Sequence, residues 1–263
     1  MDILENIAAF KREEVKLRKE ILPVKELQKS SYFERTPVSF YDALNMHKPS
    51  VIGEFKRKSP SKGIINNSAD IRNVASGYRT AGVAAMSILT DNKYFGGDIS
   101  DLSVIASGSS LPLLRKDFII DEYQVFESKS IGASAILLIG SILTKEESVM
   151  LTRLAISLGM EVLFEIHDLK DLERMDENVR IVGVNNRNLR TFEINMKNSI
   201  DLLPGLPHQC LKVAESGFQT VSDVMEMFSG GFDAFLIGER FMKEENPGNS
   251  AYEFISGLKN YIK

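Results

Sequence analysis

Glu54 and Lys56 stand two residues apart in Val51-Ile-Gly-Glu-Phe-Lys-Arg-Lys-Ser-Pro-Ser-Lys-Gly63. The stretch begins apolar and β-branched, as a buried strand does, and residues i and i+2 of a strand point to one side. A carboxylate and an ammonium on one face of an apolar strand are costly to bury unless they pair or are used. Ser59-Pro60-Ser61-Lys62-Gly63 then breaks the strand and adds small, polar and cationic groups. Similar residues follow other apolar runs: Thr90-Asp-Asn-Lys-Tyr-Phe-Gly-Gly97, Arg115-Lys-Asp-Phe118, Glu165 within Val162-Leu-Phe-Glu-Ile166, Asn185-Asn-Arg187, Glu215-Ser-Gly217 and Ile237-Gly-Glu239. Singly, each reads as well as a solvated rim carboxylate, a paired lysine, a loop cap or a turn. Together they put carboxylates and cations at one end of many strands, which is the equipment of acid–base chemistry.

The elements that must position them repeat. Apolar runs at 51–56, 83–89, 111–116, 134–139, 161–166, 181–185, 211–215 and 233–237 alternate with helix-period segments near 68–80, 98–107, 121–131, 144–158, 168–175, 195–203, 219–228 and 249–262. Eight strand-plus-helix units averaging roughly 25 residues predict an α/β fold, the (β/α)8 or TIM barrel. The runs are apolar on both faces, as a parallel sheet under helices requires. Gly82, Gly132 and Gly159 precede strands, where helix ends call for a left-handed residue. A doubly wound open sheet is the rival, but no Gly-rich phosphate turn follows the first run. Residues 2–20, with Ile3, Ile7, Phe10 and Val15 among charges, predict an amphipathic helix packed on its own domain. Ser39 suits the cap of a short helix that follows. The expectation is one barrel domain over 1–263, with 1–48 as an N-terminal helical extension.

A net charge of −4 and a pI near 5.6 offer no general basic field, so nucleic acid is not the expected partner. One cysteine, Cys210, rules out an internal disulfide framework, and His47, His167 and His208 show no ligand spacing, so no metal is expected. No run approaches the roughly 18 apolar residues of a membrane span. The charged N-terminus does not resemble a secretory signal. A cytoplasmic protein, monomeric or weakly homo-oligomeric, is expected.

In a barrel of this kind the chemistry sits at the C-terminal strand ends. The glycines after the last two strands, each near a helix start, would offer backbone N–H groups and a partial positive charge to a phosphate. Pro247-Gly248 sets off Glu239–Glu245 as a short extra helix. The expected ligand is a phosphorylated small molecule.

At this point the chain resembles a family. Glu54–Gly63, Leu89–Gly97, Leu114–Gln124, Val184–Leu189, Glu215–Gly217 and Leu236–Gly238 are similar to the matching segments of indole-3-glycerol-phosphate synthase of tryptophan biosynthesis, and the likeness covers essentially the whole chain. The first and third segments are the most specific. The resemblance implies a carboxy-lyase that closes the indole ring of 1-(2-carboxyphenylamino)-1-deoxyribulose 5-phosphate with loss of CO2 and water, and needs no cofactor. It implies Lys116 as general acid, with burial and neighbouring cations lowering its pKa towards the working pH. Glu165 would be the base and Glu54 a second acid/base group. Lys56 would hold substrate carboxylate or phosphate, and the division of acid steps between the two lysines stays open. Asn185 and Arg187 would orient the substrate. Ser216, Gly217, Gly238 and Glu239 would bind phosphate through backbone, with Ser59 and Lys56 nearby and Glu215 in the same segment. Phe95, Phe118 and Leu137 would wall the aromatic ring.

Three departures from the family pattern stand out: Gly53 replaces the usual Ala, Phe55 the usual Ile, and Ala214 a common Ser. The family also occurs fused to phosphoribosylanthranilate isomerase, and this chain is expected to be monofunctional. That isomerase is itself a rival reading, but it would need a Cys and Asp pair on early strands. A barrel that only binds a sugar phosphate is the other rival.

Overall fold

A computed structural model describes residues 3–188 and 191–262. Eight parallel strands close into a barrel: β1 (Ser50–Phe55), β2 (Ala85–Leu89), β3 (Leu113–Lys116), β4 (Ala135–Ile139), β5 (Glu161–Ile166), β6 (Ile181–Asn185), β7 (Leu211–Glu215) and β8 (Ala234–Ile237). Each pairs with its sequence neighbours and β8 returns to β1, so no edge is left open. Nearly every strand residue is buried, which is why the runs read as continuously apolar. Two apolar layers result. The inner one includes Ile52, Leu114, Leu137, Leu163, Val213 and Leu236, and the outer one lies between sheet and helices.

The helices begin and end where their local chemistry requires. Asp70, Asp98, Asp121, Thr144 and Thr220 cap the helices that follow them with side-chain oxygens. Gly82 closes its helix at φ +87°, in the left-handed region that side chains avoid. The segment after β5 departs from expectation. Leu169–Arg174 is a 3-10 helix of six residues, because Asp168 caps one end and Met175 is already extended at the other. The extra helix after β8 is also shorter than predicted, Glu239–Met242. The break after β1 is partly ordered as a minimal hairpin, Lys58–Ser59 against Gly63–Ile64.

The N-terminal helix, Ile3–Ile21, does more than cover apolar surface. Ile7 and Val15 are buried as its amphipathic pattern predicts, Phe10 is half-exposed, and the side chain of Ile3 lies outside the described residues. Lys11, one of its many charged residues, is buried too. Its Nζ lies 2.9 Å from Asp91 and 3.0 Å from Asp117, beyond the ends of β2 and β3. Burial opposes that charge, but the two carboxylates outweigh it and hold the ammonium above its ordinary pKa. Ser39 caps Phe40–Met46 as expected, by accepting from the backbone N–H of Asp42.

Candidate functional site

Period-two alternation sorts the end of β3. Lys116 and Phe118 face a cavity over the C-terminal ends of the strands. Arg115 and Asp117 turn the other way. Arg115 is buried among Thr90, Ser128, Asp117 and Glu127, and Asp117 also receives Lys11. Burial would raise the Asp117 carboxyl pKa, but Arg115 and Lys11 hold it well below the usual carboxylate range. Two of the three polar residues at this strand end, Arg115 and Asp117, are therefore structural, and they pin the segment that carries Lys116.

The cavity measures about 660 Å3. Glu54, Lys56, Ser59, Phe95, Lys116, Phe118, Asn185, Arg187, Glu215, Ser216, Gly217, Gly238 and Glu239 all line it, so it collects nearly every residue singled out from the sequence. Glu165 and Leu137 are buried and are not among its lining residues. Glu165 nevertheless reaches two groups that are, Lys116 and Asn185. Leu137 belongs to the same buried apolar cluster as Phe118. The segment ending at Leu189 lies partly outside the described residues.

Lys116 is the hub. Its Nζ lies 2.6 Å from Glu215 Oε2 and 3.4 Å from Glu165 Oε2. Two carboxylates reach one ammonium because β6 carries a glycine between them. Gly183 pairs with Glu165 on one side, and the Glu215 carboxylate occupies the space a Cβ at Gly183 would take. Burial alone would lower the Lys116 pKa, but Glu215, Glu165 and Glu54 together raise it above the ordinary lysine value. This corrects the sequence expectation of a lowered pKa: the charged neighbours are carboxylates, not cations. Burial pushes the Glu215 carboxyl up to about 7, helped by the negative charges of Glu165 and Glu54. Glu165 goes the other way. Burial opposes its charge, but the Lys116 ammonium, with a hydrogen bond from Asn185, outweighs that and holds it below the usual carboxylate range.

Across the cavity floor, Lys56 Nζ lies 2.6 Å from Glu54 Oε1, so the i, i+2 pair does share one face. Gly238 makes room for that carboxylate, since a Cβ there would collide with Glu54. Asn185 joins two strands' worth of chemistry. Its Nδ2 donates to Glu165 Oε1 at 3.3 Å and its Oδ1 accepts from the Arg187 backbone N–H at 3.0 Å. Arg187 itself donates to the Phe192 carbonyl and Ser61 Oγ, and its guanidinium lies 3.9 Å from Glu239. Phe95 and Phe118 meet at 6.1 Å between ring centres.

The turn after β7 is held in an uncommon conformation. Ser216 (φ +73°) and Gly217 (φ +96°) are both left-handed, which is strained for a serine. Asn186 secures it: its backbone N–H donates to the Glu215 carbonyl at 2.9 Å and its Nδ2 to the Ser216 carbonyl at 2.8 Å. Ser59 Oγ and Glu215 Oε1 are buried and have no protein partner, although both residues line the cavity. Buried polar atoms left open on a cavity wall are where a ligand's polar groups would be received.

The sequence reading missed Asn186 and His167. His167 Nε2 lies 3.6 Å from Glu165 Oε1. The signal was available, since His167 stands at i+2 from Glu165, the relation that paired Glu54 with Lys56. Among the described residues no group of His, Cys, Asp and Glu is arranged to hold a metal ion, and no helix is long and apolar enough to cross a membrane.

Comparison with known proteins fits this geometry. Residues 4–254 match the family model described as indole-3-glycerol phosphate synthase. The indole-3-glycerol phosphate synthase of Bacteroides thetaiotaomicron is 40% identical over 258 residues, covering 98% of this chain and 99% of that protein. The protein of the same name from Caldanaerobacter subterraneus subsp. tengcongensis is 41% identical over 242 residues, 92% of this chain and 93% of its own. Solved structures share the barrel at low identity. 3-Hexulose-6-phosphate synthase from Salmonella typhimurium superposes with a TM-score of 0.65 at 12% identity, over 81% of this chain and 99% of that one. A chain of the tryptophan synthase complex from Pyrococcus furiosus gives 0.59 at 14%, over 81% and 98%.

Proposed function

Because the chain belongs to the indole-3-glycerol phosphate synthase family, we infer from its cavity how its own residues divide that reaction. The enzyme is a carboxy-lyase of tryptophan biosynthesis. It closes the indole ring of 1-(2-carboxyphenylamino)-1-deoxyribulose 5-phosphate and releases CO2 and water. Two protons go to the carbonyl oxygen, which leaves as water, and one comes off carbon. The site therefore needs two acid events and one base.

Lys116 is the first acid. Its ammonium is held charged by buried carboxylates, so it is loaded before the substrate arrives, and proton transfer to the carbonyl oxygen is driven as negative charge develops there. Glu165 is the base, because it is kept ionised while Glu215 titrates near neutrality. Environments that push two carboxyl groups apart in this way separate acid from base roles. Glu54 and Lys56, paired at 2.6 Å, are placed to serve the second acid event. Asn185 orients Glu165, and Arg187 receives substrate oxygens. The turns at Ser216–Gly217 and Gly238–Glu239, with Ser59 opposite, form the seat for the phosphate. Phe95 and Phe118 wall the aryl ring over Leu137.

The observation that carries this reading is the placing of Lys116 Nζ within reach of both Glu215 and Glu165, in a cavity that is also lined by two glycine turns. Lys116→Ala and Glu165→Gln should each lower kcat by about 100-fold or more, the usual worth of a positioned acid or base. Indole-ring formation from the carboxyphenylamino substrate, followed by its absorbance and fluorescence, measures this. Near-normal turnover in both variants refutes the roles. Weakened substrate binding with kcat unchanged would make the altered residue a binding group and not an acid or base.

A further inference from the structure

A base that removes a proton in every turnover must be relieved of it. Glu165 is buried and meets three polar groups. The amide of Asn185 does not titrate in water. Lys116 starts each turnover as an ammonium and can take a proton only after it has given up its own. The third is the imidazole of His167, with Nε2 3.6 Å from Glu165 Oε1. Both ring nitrogens of His167 are buried and neither has a protein partner. Unpaired nitrogens on both sides of one ring are costly for a residue kept only for packing.

A second space lies beside this residue. His167 lines a second cavity of about 740 Å3, distinct from the substrate cavity and separated from it by Leu4 and Asn185, which border both. Exposed residues, Arg12, Ser141 and Asn198 among them, line this second cavity, so it communicates with solvent. The backbone N–H of His167 donates to Asp171 Oδ2 at 2.9 Å, which fixes the residue at the end of β5. Besides Glu165 next to the ring, with Lys116 behind it, the titratable and charged groups around this space are Arg12 from the N-terminal helix, Asp168 and Asp171 from the turn after β5, and Glu193 from the loop after β6. Among them only the imidazole can take a proton at one ring atom and release one from another.

We propose that His167 is the proton exit of the active site: it takes from Glu165 the proton removed from substrate carbon and releases it into the second cavity, away from the closed substrate. This rests on the reading of Glu165 as the base. The Glu165 carboxyl O–H breaks as a bond to Nε2 forms, and the Nδ1 proton passes to solvent. Glu165 is left as carboxylate and His167 as the neutral Nε2–H tautomer, which returns to the Nδ1–H form by proton exchange with water before the next turnover. One proton leaves by this path while the two acids reload through the substrate cavity, which preserves the net uptake of one proton per turnover. His167 thus acts through Glu165 and touches no substrate.

The test compares His167→Gln, His167→Ala and Glu165→Gln in the same turnover assay, with circular dichroism as the control for folding. His167→Gln retains hydrogen bonding and most of the volume but cannot titrate. It should lower kcat by about tenfold or more, with KM within about twofold, because only a proton-transfer step is lost. His167→Ala should regain rate with added imidazole in a concentration-dependent way, since the second cavity admits it to the vacated position. Wild-type kcat in His167→Gln, as direct return of the proton from Glu165 to Lys116 would give, overturns the proposal. So does a slow His167→Ala that imidazole does not rescue. If His167→Ala does not fold, the His167→Gln arm decides alone. Glu165→Gln separates the two levels. Near-normal turnover there removes the base and the relay together, whereas an inactive Glu165→Gln beside a fully active His167→Gln removes only the relay.

Discussion

Glu215→Gln offers a direct physical test of how the site is wired. In the folded protein the Glu215 carboxyl is pushed from an ordinary 4.5 up to about 7, because it is buried and shares its surroundings with Glu165 and Glu54. A tenfold change in proton affinity is worth about 1.4 kcal/mol, so the rise at Glu215 corresponds to about 3 kcal/mol. A carboxyl whose pKa rises on folding favours the folded state while it is protonated. That contribution is complete below the unfolded value and disappears as the pH passes the folded one. Between pH 5 and pH 8, Glu215 alone should therefore cost the wild-type protein about 2.5 kcal/mol. Glutamine has nearly the same shape and does not titrate, so the variant should lack this fall. Urea unfolding of both proteins at pH 5 and pH 8 gives the double difference, in which titrating groups outside the Glu215, Lys116, Glu165 and Glu54 cluster cancel. With a slope of about 3 kcal/mol per molar urea, the wild-type midpoint should drop by about 0.8 M more than that of the variant. Identical pH dependence in the two proteins, or a steeper fall in the variant, refutes the claim that an unfavourable buried negative charge is kept at this position.

Two further outcomes follow from the packing around the site. Lys11→Ala removes the cation that Asp91 and Asp117 share and should cost about 3–5 kcal/mol of stability, as breaking a buried pair does; a chemical denaturation midpoint unchanged from wild type contradicts it. Gly53→Ala, which restores the residue usual in the family, should destabilise this chain by about 1–3 kcal/mol, because the added methyl would stand 2.6 Å from the Tyr78 ring. Thermal melting of Gly53→Ala beside Gly53→Ala with Tyr78→Leu separates the causes, and the second change should recover part of the loss if the clash is responsible.

The barrel was legible because its strands are buried on both faces. Burial on both sides turns each strand into a short apolar run, and the runs at 51–56 and 161–166 coincide with β1 and β5 almost residue for residue. The fifth helical segment was misread for a reason of the same kind. Residues 168–175 have helix-like periodicity, but two aspartates, Asp168 and Asp171, bond the local backbone and restrict the segment to a 3-10 turn. Strand-end position identified the candidate residues but not their partners. Alternation along β3 separates Lys116 from Arg115 and Asp117, yet nothing within β3 shows that the partner of Asp117 is Lys11, about a hundred residues earlier among the charges of the N-terminal helix. The Lys116 environment failed for the same reason. Its pKa depends on groups across the barrel, and those are set by register: Glu165 beside Gly183, and Glu215 beside Asn185. A glycine in β6 reads in sequence as a weak point of a strand. In the barrel it is the space that lets a second carboxylate approach the lysine. That space admits the largest of the negative charges that keep Lys116 loaded. A side chain at position 183 would displace Glu215, leave Glu165 as the nearer counter-charge at 3.4 Å, and shift the balance between acid and base without altering either residue.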